Sequence, residues 1–142
     1  VKYKVIYNAS ILDGVAETGL QLYKFGKISS MPAWKKSFTP TSFMEIIKEN
    51  LSIDAHSLIL IDIGLDFESA IKQLESAAKE NKIKLNRIII CSRVGTKYKN
   101  IFYGKIEDLK KKEITAPFCF IIPGKLHFVE EEMLKEFEER ER

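Results

Sequence analysis

Three short, unbroken apolar runs constrain this chain more than any other feature: Ser57 to Ile63, which ends at Asp62 and Ile63, Arg87 to Ser92, and Phe118 to Ile122. Each has the length of a strand covered on both faces, as in sheets layered with helices. Between the first two, Phe67, Ala70, Ile71, Leu74, Ala77 and Ala78 recur three and four residues apart, with Asp66 before them and Asn81 after. That spacing predicts an amphipathic helix capped by the Asp66 carboxylate and stopped near Asn81. Strand, crossover helix and strand form the unit that builds parallel sheets with a right-handed connection. The expected fold is α/β: a mixed, largely parallel sheet packed with helices.

The flanking segments are read in the same way. Val1, Tyr3, Val5 and Tyr7 alternate with other residues, the period of a half-buried strand. Asn8 or Ser10 then caps a helix carrying Ile11, Leu12, Val15 and Ala16, with Asp13 near its positive end and Gly19 at its stop. Leu20 to Trp34 is irregular and predicts a short strand and a long loop. Ser42 and Glu45 have capping-box spacing ahead of a helix reaching about Asn50. Val129, Met133, Leu134 and Phe137 share one side of a final helix that runs to Arg142, with Glu130 to Glu132 near its start and Arg140 and Arg142 near its end.

A length of 142 residues suits one domain with a core that needs neither disulfide nor metal. The net charge of +3 is too small to hold a polyanion at physiological salt. Lys35, Lys36, Lys97, Lys99 and Lys110 to Lys112, with Phe38 and Tyr98, are therefore read as a solvated face, or one that meets a protein substrate, rather than a nucleic-acid surface. Cys91 and Cys119 each lie inside an apolar run, which predicts buried thiols and a reducing, cytoplasmic setting. No run approaches the roughly 20 apolar residues of a membrane span, and the first residues have no signal-peptide pattern. The first residue is Val, as expected of a domain cut from a longer chain.

Familiar catalytic signatures are absent: there is no phosphate-binding Walker loop, no HExxH, no CxxC and no GxSxG. His56 and His127 are the only histidines, too few for a His-rich metal site, and no metal is expected. Five positions fall where strands end or helices begin: Ser10, Ile11, Ile61, Val94 and Phe118. In open α/β sheets ligands bind outside the carboxyl ends of strands, so these loops can converge on one crevice. The same positions also suit ordinary core and turn residues, and the pattern alone leaves both readings open.

A resemblance selects between them. Asn8 Ala9 Ser10 Ile11 with Gly19 Leu20 Gln21 Leu22 Tyr23 Lys24 Phe25 Gly26 resembles the central segment of the diphthine synthase family, within the tetrapyrrole methylase superfamily. Four further blocks are similar in the same order: Phe38 Thr39 Pro40 Thr41 Ser42 Phe43 with Ile47 to Asn50; His56 Ser57 Leu58 to Ile63; Ser92 Arg93 Val94 Gly95 Thr96 with Tyr103 Gly104 Lys105; and Ile122 Pro123 Gly124 Lys125 Leu126 His127 with Glu130.

The resemblance implies an S-adenosylmethionine-dependent methyltransferase of diphthamide biosynthesis that acts, as a homodimer, on the amino group of a modified histidine of elongation factor 2. By motif, Ser10, Ile11, Ile61, Val94 and Phe118 would contact the cofactor, and no residue is assigned a catalytic role. Ala116 and Pro117 precede Phe118 where the family often carries His. The family's glycine-rich first loop and Asp-Pro turn are not found here. Residues 1–9 are accordingly expected to be the end of an N-terminal domain or a linker, residues 10–142 the C-terminal domain, and the isolated chain to be inactive. His127 is read as ordering the Gly124 to His127 turn. Rival expectations are a non-catalytic interaction or dimerisation domain of the same fold, or a fragment of a porphyrin-type methyltransferase.

Overall fold

The computed structural model describes residues 1–138. Its strands are β1 (Ser29–Met31), β2 (Ser57–Ile61), β3 (Arg87–Ser92), β4 (Asn100–Lys105) and β5 (Phe118–Ile122). They form one sheet in the order β1-β2-β5-β3-β4. The helices are α1 (Ile11–Val15), α2 (Ser42–Ser52), α3 (Phe67–Glu80), α4 (Ile106–Leu109) and α5 (Phe128–Lys135).

The three apolar runs are β2, β3 and β5, the centre of the sheet, and β5 is buried along its whole length. Alternate side chains enter two cores. Ile59, Ile88, Ile90, Phe118, Phe120 and Ile122 pack with Met44 and Ile47 of α2 and Ile71 and Leu74 of α3. On the opposite face Leu58, Ile89, Cys91, Cys119 and Ile121 pack with Val15 of α1 and Leu134 of α5. The period of two in a strand explains how one continuous apolar run supplies both layers. Cys91 and Cys119 are free, buried, and directly opposite across β3 and β5.

The α/β class and the mixed sheet hold, but the sheet is not largely parallel. Only β1 and β2 pair in parallel, whereas β2 with β5, β5 with β3 and β3 with β4 pair antiparallel. β2 and β3 do run in the same direction around the α3 crossover, but β5 is inserted between them. Apolar content reports that a strand is covered on both faces, not which way its neighbour runs, so direction was not readable from the runs.

Helix ends follow local chemistry. Asp66 Oδ1 accepts from the Ser69 N–H at 2.9 Å, as expected of the cap of α3. Ser10 caps α1, and Asp13 Oδ2 reciprocates by accepting from the Ser10 N–H at 2.7 Å. Gly19, at φ 80°, ends the turn that follows α1. Its missing side chain also lets α5 approach, since a Cβ there would lie 2.5 Å from Met133 Cβ.

Other local expectations are corrected. Residues 1–9 form no strand, and Val1, Tyr3, Val5 and Tyr7 are exposed. Alternation is only half of a strand's requirement, because the edge it pairs with must also be present. The helix α2 takes Thr41, not Ser42, as its cap residue, without a side-chain cap bond. α5 ends at Lys135, and the expected Arg140 and Arg142 lie outside the described residues. β4 escaped notice because Asn100–Lys105 is a half-exposed edge strand containing Gly104, with no apolar run to mark it.

Candidate functional site

The carboxyl ends of β1, β2 and β3 meet the amino end of β5 at one rim of the sheet. Leu60 pairs with Cys119, so the next step of that ladder sets Ile61 beside Phe118, and Phe118 is itself opposite Ser92 at the end of β3. The Arg93 N–H then donates to the Pro117 carbonyl at 2.8 Å, tying the β3 exit to the β5 entry. The Ser92 hydroxyl reinforces this by donating to the Thr115 carbonyl at 2.5 Å.

Val94 follows in the β3–β4 turn and is held by α1. A Cβ on Gly14 would lie 2.8 Å from Val94 Cγ2, so only glycine lets the helix sit this close. This contact sets the last turn of α1 against the β3–β4 turn, while Ser10 and Ile11 at the helix start are exposed. Ile61, Phe118 and Val94 thus come to one end of the sheet, and Ser10 and Ile11 open the helix whose last turn meets Val94. They do not share one face: Ile61 and Phe118 join the core under α2 and α3, whereas Val94 joins the core under α1 and α5. Phe118 is nearly buried, with its ring set edge-on to Phe67 at 5.7 Å. Beyond β2, Ile63 is fully exposed, leaving apolar surface open at this rim.

A second polar constellation lies at the opposite rim, about 17 Å away along the five residue steps from His56 to Ile61. The Glu130 carboxylate there accepts four hydrogen bonds. Oε1 takes Lys24 Nζ at 2.7 Å and the His127 N–H at 2.9 Å, while Oε2 takes the Gln21 N–H at 3.0 Å and His56 Nε2 at 2.7 Å. His56 Nδ1 accepts from the Gly124 N–H at 2.9 Å, which fixes the ring as the neutral tautomer protonated on Nε2. Burial pushes Glu130 upward, but its donors outweigh that and bring its pKa down to about 2. Burial lowers His56, against the opposing pull of Glu130.

Sequence reasoning missed this constellation, although Lys24, His56 and Glu130 all belong to the quoted blocks. A histidine just before a buried strand and a glutamate three residues after another histidine were the available signals. His127 itself has the structural role expected of it, since its Nδ1 caps α5 by accepting from the Val129 N–H at 3.4 Å. Among the described residues no group of three His, Cys, Asp or Glu side chains is placed to hold a metal, and no helix is long and apolar enough to cross a membrane.

The sheet and its helix layers define an α/β domain, a class in which ligands bind beyond the carboxyl ends of strands. No family model matches the chain. It is 40% identical to a diphthine synthase of Methanococcus maripaludis across 92% of its own length and 56% of that protein. A Methanocaldococcus jannaschii diphthine synthase is 38% identical, with 95% of this chain and 58% of the relative covered. Among solved structures, an Entamoeba histolytica protein matches with TM-score 0.90 at 31% identity over 96% of this chain and 60% of its own. A solved diphthine synthase matches with TM-score 0.81 at 29% identity over 94% and 53%. The chain is related over nearly its whole length to the diphthine synthases, and spans little more than half the length of the curated relatives it matches.

Proposed function

We propose that this chain forms one wall of the S-adenosylmethionine cleft of a diphthine synthase, a methyltransferase acting on the amino group of the modified histidine of elongation factor 2. Ser10, Ile11, Ile61, Val94 and Phe118 are the proposed cofactor-binding residues. The observation that carries the reading is 40% identity to a named diphthine synthase over 92% of this chain, and the place of Ile61, Val94 and Phe118 at one carboxyl rim supports it. The rim fits the group: exposed Ile63 and half-buried Ile61, backed by the buried Phe118, offer apolar surface near the turn at Arg93, suited to a ligand with apolar and polar parts. In this reading residues 1–9 lead from a preceding domain that supplies the other wall, residues 10–142 are the C-terminal domain, and the enzyme is a cytoplasmic homodimer.

When bound, the cofactor supplies a methyl group on a sulfonium, whose leaving group departs neutral. The chain's own contribution is therefore orientation and exclusion of water rather than acid catalysis. The half-buried Ile61, backed by Phe118, would keep water from the cleft, and backbone groups at Ser10 and Val94 would hold the ligand in position. His56 and Glu130 lie at the other rim and serve the fold.

Calorimetric titration with S-adenosylmethionine tests this. The chain alone is expected to bind weakly or not at all, and the chain joined to the preceding part of a relative to bind well. Tight binding by the chain alone removes the one-wall claim; no binding by either form removes the function.

A further inference from the structure

Among the described residues, three other than glycine have left-handed backbones: Asp54, Lys82 and Arg93, at φ 59°, 56° and 50°. Two are explained by helix ends. Asp54 follows α2, where the Ala55 N–H donates back to the Asn50 carbonyl at 2.9 Å; Lys82 follows α3, where the Ile83 N–H donates to the Ala78 carbonyl at 2.9 Å. Both are the left-handed stop that satisfies a helix's last carbonyls. Arg93 follows a strand and has no helix to finish. Left-handed geometry at a long side chain without such a reason concentrates at ligand sites.

Its electrostatics are equally unfinished. The Arg93 guanidinium carbon lies 5.6 Å from the Tyr98 ring centroid, and Lys97 Nζ lies 5.0 Å from the same ring. Among the described residues neither cation has an acidic partner, whereas the neighbouring Lys99 is paired with Glu17. Arg93 Nε is buried without a hydrogen-bond partner. Arg87 Nε shares that condition, but its guanidinium is already neutralised by Glu138. A buried N–H left unpaired is costly, so its pairing by a ligand is favourable. Nε–H with the adjacent Nη–H makes a fork that matches the two oxygens of a carboxylate, a geometry lysine cannot reproduce. The ring beside the guanidinium, Tyr98, is 58% exposed and belongs to the exposed turn from Gly95 to Lys99.

We propose that Arg93 is the carboxylate-binding residue of the crevice, gripping the α-carboxylate of an amino-acid-type ligand through Nε and one Nη. The identity of that ligand rests on the methyltransferase reading, since the carboxylate can belong to the cofactor or to the methyl acceptor. The carboxylate grip does not.

The test records the Nε–H resonance of Arg93 in the nitrogen-labelled chain, assigned by its loss in Arg93→Lys, while methionine or methioninol is added. A saturable shift with methionine and none with methioninol is expected. Calorimetry on the chain joined to the preceding part of a relative, the form expected to bind the cofactor, then compares S-adenosylmethionine with its decarboxylated form. If the cofactor's carboxylate is held, a preference of about tenfold or more in the wild-type protein falls to within about twofold in Arg93→Lys and Arg93→Ala. If the acceptor's is held, that preference does not change between variants, and binding of elongation factor 2 weakens about tenfold instead. Absence of a methionine-specific shift overturns the proposal, even where S-adenosylmethionine binds and the methyltransferase reading survives. A methionine response without any cofactor binding overturns that reading and leaves the carboxylate grip standing. Because the shift is read in the wild-type chain, misfolding of a variant cannot decide the outcome.

Discussion

His56 Nε2 and Glu130 Oε2 lie 2.7 Å apart with both side chains fully buried, joining the entry of β2 to the first turn of α5 across 74 residues of sequence. Removing one member leaves the others buried without their partner, which costs more than the pair itself contributes. Glu130→Gln is expected to destabilise the chain by about 2–4 kcal/mol, and urea unfolding monitored by circular dichroism measures it. A loss under about 0.5 kcal/mol would mean that the network has no part in holding α5.

The same network sets an acid limb. Glu130 is depressed from its ordinary 4.5 to about 2, so its contribution is complete above 4.5 and disappears as pH falls through about 2. His56 is lowered from 6.5 by burial, so the fold favours its neutral form; that contribution is present above 6.5 and is lost as pH falls through the lowered value. Urea midpoints should decline from about pH 6.5 downward and more steeply below 4.5. In Glu130→Gln the steeper limb should flatten; an unchanged limb assigns the acid sensitivity elsewhere.

Gly124 is fixed by backbone rather than by side chains. A Cβ there would lie 2.5 Å from the Asp54 carbonyl oxygen and 2.6 Å from that of Ala55, neither of which is a flexible side-chain end. Gly124→Ala should therefore lower the melting temperature by about 10 °C or more, from a loss of about 2–3 kcal/mol in a domain of this size. Calorimetric scanning of both proteins reads this directly, and a shift below 2 °C contradicts the close approach.

Asp66→Ala tests the cap of α3 in isolation. The carboxylate accepts from the Ser69 N–H at 2.9 Å and the Ser69 hydroxyl at 2.8 Å at the exposed start of the helix. A loss of about 1 kcal/mol in unfolding free energy is expected, measured by urea unfolding. An effect above about 3 kcal/mol would show that Asp66 does more than cap.

Gly14→Ala addresses the proposed cleft. The added methyl meets Val94 Cγ2 at 2.8 Å, so α1 or the β3–β4 turn must shift. In the form that binds S-adenosylmethionine, affinity should fall about tenfold while stability changes by only about 1–2 kcal/mol. Unchanged affinity would separate Val94 and α1 from the cleft.

The sequence by itself determined the pieces whose causes are local. Apolar runs marked β2, β3 and β5, helical spacing and Asp66 marked α3, and Ser10 with Gly19 bounded the first helical turn, because each depends on neighbours within a few residues. Of the positions that the quoted family blocks selected, Ile61, Val94 and Phe118 lie at the carboxyl end of β2 and β3 and the amino end of β5, on two different cores. Tertiary structure alone decided that β5 enters between β2 and β3, that Val1 to Tyr7 finds no edge to pair with, and that Lys24, His56 and Glu130 share one buried charge. Strand direction and polar partnership are properties of pairs distant in sequence, and no local pattern encodes which distant partner completes them.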